Sequence, residues 1–133
     1  MKTKIYYLEL KKNCPYPYGR YPEDSEYCGA IFRDEVLIPV LERCKESDIL
    51  FDMSGVSLMP GASWFHEVFF KLDPKYQAMI SNKMMVKGMI LQAEIIQNYL
   101  GLELRKQNDY NDFIRPVYVS STRRFFNRIF HRS

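Results

Sequence analysis

The pairing that most invites chemistry is His66 followed by Glu67, because an imidazole titrating near neutrality beside a carboxylate is common material for acid–base catalysis. The pieces that would complete such a centre are missing from the sequence. There is no HExxH pair for a metal, no GxSxG turn for a nucleophilic serine and no glycine-rich phosphate cradle. The expectation is a non-enzymatic chain in which His66 caps or packs on a helix. Arg20, Asp24 and Arg33 fall around a loop and a helix start, where they would build either a recognition surface or an internal ion-pair clasp. A buried clasp would make the loss of one partner costly, and an exposed one would not. Asp52, two residues before Ser54, can bind a cation or a partner's backbone, although an aspartate more commonly hydrogen-bonds its own turn. Ser63 opens an aromatic helix and is expected to be its N-cap.

Cys14, Cys28 and Cys44 are odd in number and lack the paired spacing of zinc sites, so neither a disulfide framework nor a metal or other cofactor is expected. Reduced thiols in a cytoplasm are the simplest reading. Cys28 stands beside Gly29 at a helix start, where a helix dipole lowers a thiol's pKa, so redox sensing stands as the alternative to a plain buried thiol. Met79, Met84, Met85 and Met89 would fill gaps in a core or line an adaptable groove.

A chain of 133 residues is long enough to close one hydrophobic core without staples. Hydrophobic residues at 47% and charged residues at 26% argue against disorder. No run approaches the roughly 18 apolar residues that span a bilayer, and the first dozen residues do not read as a signal peptide. The net charge of +3 is unevenly placed: residues 114–133 hold five arginines and no acid. Basicity therefore belongs to the tail rather than to a global nucleic-acid surface.

The elements that must position these groups follow from periodicity. Lys4 to Lys11 alternate as a strand, with Tyr6, Leu8 and Leu10 on one side. The proline- and glycine-punctuated stretch 13–29 is a long loop. From Ala30 to Lys45, Phe32, Val36, Leu37, Val40, Leu41 and Cys44 form one helical face, in which Pro39 should kink or divide the helix. Ile49 to Phe51 read as a buried strand leaving through Asp52, Ser54 and Gly55. Ala62 to Leu72 form a helix apolar around nearly its whole circumference, ended by Asp73 and Pro74. Between Lys75 and Leu104 the pattern favours a strand at "MMVKGMIL" and then a helix closed by Gly101. "RPVYVSS" alternates like a strand, and "STRRFFNRIFHRS" spaces Phe125, Phe126, Ile129 and Phe130 along a helical face.

Residues 19–72 are similar to the STAS-like bacterial family, described mainly as a domain of unknown function. The resemblance rests on Gly19, Arg20 and Asp24 in the loop, and on Gly29, Phe32, Arg33 and Glu35 at the helix start. It continues through Leu37, Pro39 and Leu41 within the helix, Phe51, Asp52 and Gly55 at the strand exit, and Ser63 and Glu67 in the aromatic helix. It implies an α/β fold with a mixed β-sheet flanked by helices, extended here by a C-terminal basic helix. Residues 1–113 would be the STAS-like domain and 114–133 a basic, aromatic extension packed on it or appended to it. It also implies a regulatory protein partner. In the wider group the antagonists of anti-sigma factors carry a serine at this helix start that a histidine-kinase-like ATPase phosphorylates, which makes Ser63 the candidate phosphosite. Where those proteins have an aspartate and serines, this chain has Pro60, Gly61 and Ala62.

The expected partner surface comprises Arg20, Asp24, Arg33, Asp52, Ser54, Ser63 and Trp64, centred on the loop from Tyr16 to Asp24. The alternative is an accessory protein that holds nucleic acid or an anionic surface through Arg115, Arg123, Arg124, Arg128 and Arg132. The competing reading of the tail is a terminal helix docked on the domain. A homodimer is left open.

Overall fold

A computed structural model describes residues 4–56, 60–88, 102–107 and 110–118. The first strand, β1 (Ile5–Glu9), gives way at once to a single helical turn, α1 (Leu10–Asn13). After the loop a continuous helix, α2, runs over residues 29–43, with α-helical ends Gly29–Ile31 and Ile38–Arg43 around a wider π-helical stretch, Phe32–Leu37. Strand β2 (Asp48–Asp52) follows, then a second composite helix, α3, over residues 62–70, whose final turns His66–Phe70 are again π-helical. Helix α4 (Pro74–Lys83) leads into β3 (Met84–Lys87), and β4 (Leu102–Gln107) and β5 (Tyr110–Tyr118) complete the described chain.

The strands form one mixed sheet in the order β1-β2-β3-β5-β4. β1, β2 and β3 are parallel, with Leu8 opposite Phe51 and Phe51 opposite Val86. β5 is antiparallel to β3, and β4 pairs antiparallel with β5. Both parallel crossovers step the same way across the sheet, so right-handed connections carry α2, α3 and α4 to one face. The core bears this out. Leu8, Ile49, Phe51, Met84 and Val86 from the strands join Phe32, Leu41, Trp64, Phe65, Phe69 and Ile80 from the helices in one buried cluster. Its centre is aromatic: Phe32 stacks on Phe51 at 5.8 Å between ring centroids and meets Trp64 at 5.2 Å.

Two expectations are corrected. Pro39 does not divide its helix. The turn ahead of it widens instead, with the Ile38 N–H bonding the Arg33 carbonyl five residues back. A proline ring ordinarily collides with the carbonyl four residues earlier, and the wide turn absorbs that conflict. Asp73 and Pro74, read from sequence as the end of a helix, start the next one: Asp73 caps α4 by accepting from the Lys75 N–H at 3.1 Å, and Pro74 occupies its first turn. The strand read at "RPVYVSS" is part of β5, which begins earlier, at Tyr110, runs through residue 114 and carries Arg115.

The strand at Met84 is as expected, whereas Leu102 to Leu104 are strand. The proposed helix before Gly101, Met89, and the basic helix with Arg123, Arg124, Arg128 and Arg132 lie outside the described residues. Among the described residues no helix is long and apolar enough to cross a membrane.

Candidate functional site

The loop between α1 and α2 is held in shape by its own backbone. The Tyr18 N–H donates to the Tyr27 carbonyl at 3.3 Å, the Gly29 N–H to the Gly19 carbonyl at 2.9 Å, and the Ala30 N–H to the Arg20 carbonyl at 3.0 Å. The last two satisfy amides that a helix start otherwise leaves without partners. Asp24 closes the tip, its Oδ2 accepting from the backbone N–H groups of Arg20 and Tyr21 at 3.1 and 3.3 Å. Gly19 sits at φ +77°, and a Cβ there would fall 2.4 Å from the Asp24 Cβ, so the turn needs glycine on both counts. Asp24 therefore shapes the loop and joins no ion pair with the two arginines. Three tyrosines of this loop leave their rings in solvent, Tyr16 at 55%, Tyr18 at 59% and Tyr21 at 47% exposure.

Behind the loop, α2 and α3 approach closely at Gly29. A Cβ added there would stand 2.9 Å from both the Glu67 Cβ and the Trp64 carbonyl oxygen. This contact brings together the two wide turns and the charges they carry. Glu67, only 4% exposed, receives Arg33 Nη1 on Oε2 at 2.5 Å, and the same nitrogen reaches the Glu67 carbonyl at 2.8 Å. The other side of the Arg33 guanidinium pairs with Asp34, Nε to Oδ1 at 2.9 Å and Nη2 to Oδ2 at 3.2 Å. A carboxylate this buried needs a cation, and Arg33 is placed to supply it.

The second oxygen of Glu67 is different. Oε1 is buried and has no hydrogen-bond partner among the described residues. Arg20 Nη1 lies 4.0 Å from it, but that nitrogen is engaged elsewhere, 2.8 Å from His66 Nδ1. A guanidinium only donates, so Nδ1 must present its lone pair and the neutral imidazole carries its proton on Nε2. Burial lowers the pKa of His66 first, then the charges of Arg20 and Lys71, with Glu67 opposing. The ring stacks on Phe70 at 5.2 Å. Chemically the cluster offers a neutral imidazole, a buried carboxylate with a free lone pair, and two guanidinium groups.

Asp52 belongs to a separate place, the carboxyl end of β2. Its Oδ1 accepts from the Ser54 N–H at 2.9 Å and the Ser54 hydroxyl at 2.6 Å, and its Oδ2 accepts from the Tyr7 hydroxyl. Burial pushes this carboxyl up, but the bonds from Ser54 and Tyr7 and the charge of Lys87 outweigh it and hold the pKa below the usual value. The phenol of Tyr7 is pushed the other way, to about 12, chiefly by its bond to Asp52. Asp52 and Ser54 thus lock their own turn, the commoner of the two uses expected for them.

Ser63 is exposed but is not the N-cap. Gly61 takes that place in extended conformation with no side-chain bond, which puts Ser63 second in the helix and one turn from His66. Trp64 is a core residue, 1% exposed, its indole N–H donating to the Tyr27 carbonyl at 3.2 Å, so it offers no ring to a partner. Cys28 is fully buried at the start of α2, out of reach of oxidants, and Cys14 has its thiol pushed up to about 12 by burial.

Of the expected residues the structure brings together Arg20, Arg33 and, by position, Ser63; it leaves Asp52 and Ser54 apart. Sequence reasoning missed Glu67 as the hub and Tyr7 as a partner of Asp52. A signal for Glu67 existed: a carboxylate on a helix apolar all around must find a buried cation, and Arg33 was already a candidate.

Compared with known proteins, the chain matches no family model, no curated protein and no solved structure.

Proposed function

We propose that this chain is a non-enzymatic, cytoplasmic regulatory module of STAS-like type that binds a partner protein through the loop from Tyr16 to Asp24 and the adjoining start of α3. The observation that carries the reading is the set of exposed rings of Tyr16, Tyr18 and Tyr21 around Arg20, on a loop pinned by backbone bonds to α2. Tyrosine and arginine dominate binding hot spots, and a surface already in its bound shape loses little entropy on docking. Exposed Ser63, one turn from His66 and so on Arg20's side of α3, is the position at which a phosphate would alter that surface. By resemblance the partner is a histidine-kinase-like ATPase.

The test is co-purification with the products of neighbouring genes, followed by a Tyr16→Ser, Tyr18→Ser, Tyr21→Ser triple variant. Retention of the wild-type complex and its loss in a folded triple variant would support the reading. A complex indifferent to all three substitutions would refute it. The uneven charge favours a second reading, an accessory protein holding nucleic acid or an anionic surface through the arginines of residues 114–133. It requires salt-sensitive binding that disappears when the last 13 residues are removed.

A further inference from the structure

The Arg20 guanidinium stands between two acceptors. One is His66 Nδ1, at 2.8 Å from Nη1. The other is Glu67 Oε1, at 4.0 Å from the same nitrogen, buried and without a hydrogen bond among the described residues. Leaving a buried carboxylate oxygen unpaired is costly, and moving Nη1 about 1 Å would bring it to charge-assisted bonding distance. The bond to His66 holds it back, and that bond exists only while Nδ1 keeps its lone pair.

We propose that Arg20 is a two-position latch thrown by the protonation of His66: neutral imidazole holds the guanidinium at the surface, and imidazolium releases it onto Glu67 Oε1. A proton on Nδ1 turns the acceptor into a donor and sets two like charges at contact distance, so the present arrangement does not survive it. The surroundings favour the second position. Lys71, just past the end of α3, adds its charge to the repulsion. From α2, Arg33 is committed to Glu67 Oε2, the Glu67 carbonyl and Asp34, which leaves Oε1 to Arg20. From the loop, Asp24 is committed to backbone N–H groups and does not compete. The Arg20 backbone is tied through its N–H to Asp24 and through its carbonyl to Ala30, so the side chain moves and the loop path stays.

The outcome at the surface is an exchange of cations. Near neutrality the guanidinium stands partly exposed against His66. On acidification it withdraws to Glu67, and the imidazolium becomes the exposed charge. The latch stands on this geometry alone; only its effect on a partner rests on the function proposed above.

Nuclear magnetic resonance of the full-length chain tests it without any partner. The chain has two histidines, so His131→Asn leaves His66 as the single imidazole to follow. The expected result is that the Arg20 side-chain signals and the Glu67 carboxyl carbon both inflect at the His66 midpoint, with the guanidinium protons still protected from solvent exchange on the acid side. In Arg20→Gln the His66 midpoint should shift upward and the Glu67 inflection should vanish. Arg20 signals that collapse into fast solvent exchange as His66 protonates, or a Glu67 carbon blind to that midpoint in the native sequence, would overturn the latch.

Discussion

Asp52 and Glu67 are both carboxylates within a few percent of full burial, at 6% and 4% exposure, yet they are treated in opposite ways. Asp52 has bonds on both oxygens, three in all, from Tyr7 and Ser54, and its partners lie at one strand end and its neighbour. Glu67 has one oxygen clamped by Arg33 and the other without a hydrogen bond among the described residues, and its partners come from a loop and a second helix. A carboxylate with its acceptors filled by neutral donors is finished structure. A half-filled one facing two cations keeps an alternative within reach. The difference locates responsiveness at the α2–α3 junction and rigidity at the strand end.

Breaking the Glu67 pair should have the largest effect. Arg33→Met strands a buried charge and is expected to cost about 3 kcal/mol, read from urea unfolding, while pairing it with Glu67→Leu should recover most of the loss. Gly29→Ala attacks the same junction by volume, since the added methyl meets the Trp64 carbonyl at 2.9 Å; a loss of about 2 kcal/mol is expected. Asp52→Asn, which keeps an acceptor for Ser54 but weakens the bond from Tyr7, should cost about 1 kcal/mol. A loss as large as that of Arg33→Met would erase the contrast between the two sites.

Titration sharpens the comparison further. Because His66 has a lowered pKa in the fold, the unfolded chain binds its proton first. Stability should therefore begin to fall as pH drops below about 6.5 and stop falling below the folded value, a slope that His66→Asn should abolish. Asp52, also lowered, contributes stability that is present above about pH 4 and lost as pH falls through its folded value. Two separate steps in an acid unfolding profile are expected, and only the first should respond to Arg20→Gln. At the alkaline end Tyr7, raised to about 12, makes stability decline above about pH 10, and Tyr7→Phe should lessen that decline, the remainder falling to Cys14, Tyr76 and Tyr118, which are raised as well.

Periodicity made the parallel half of the molecule readable. Leu8, Ile49, Phe51 and the face of Phe32, Leu37, Val40 and Leu41 are buried as the pattern requires, whereas Tyr6, on the Leu8 side of the alternation, is exposed, and Leu10 is buried from the helical turn that follows the strand. Helix α4 was obscured because Asp-Pro serves equally as a stop and a start, and only the apolar anchor Ile80 inside the core decides between them. For the site, residue types nominated Arg20 and Arg33, but the choice between surface and clasp depended on Gly29. No periodic signal tells that a glycine marks the closest approach of two helices. Trp64 was nominated for its place beside Ser63, yet its neighbours Phe65, Val68 and Phe69 turn the same helix inward on nearly every side.

The wide turns in α2 and α3 also have a genetic meaning. A π-helical turn holds one residue more than an α-helical turn between its hydrogen-bonded ends, so each is equivalent to a single inserted codon whose disturbance stays local. Removing one residue within Phe32–Leu37 would restore the narrower spiral and leave the downstream face of Val40 and Leu41 in register, but it would also return the Pro39 ring to its conflict with the carbonyl four residues back. The same deletion in α4, which is α-helical throughout, would rotate everything after it by about 100°. Gene libraries of one-codon deletions should therefore find α4 intolerant along its length through loss of register, and α2 limited near its middle by Arg33 and Pro39 rather than by register.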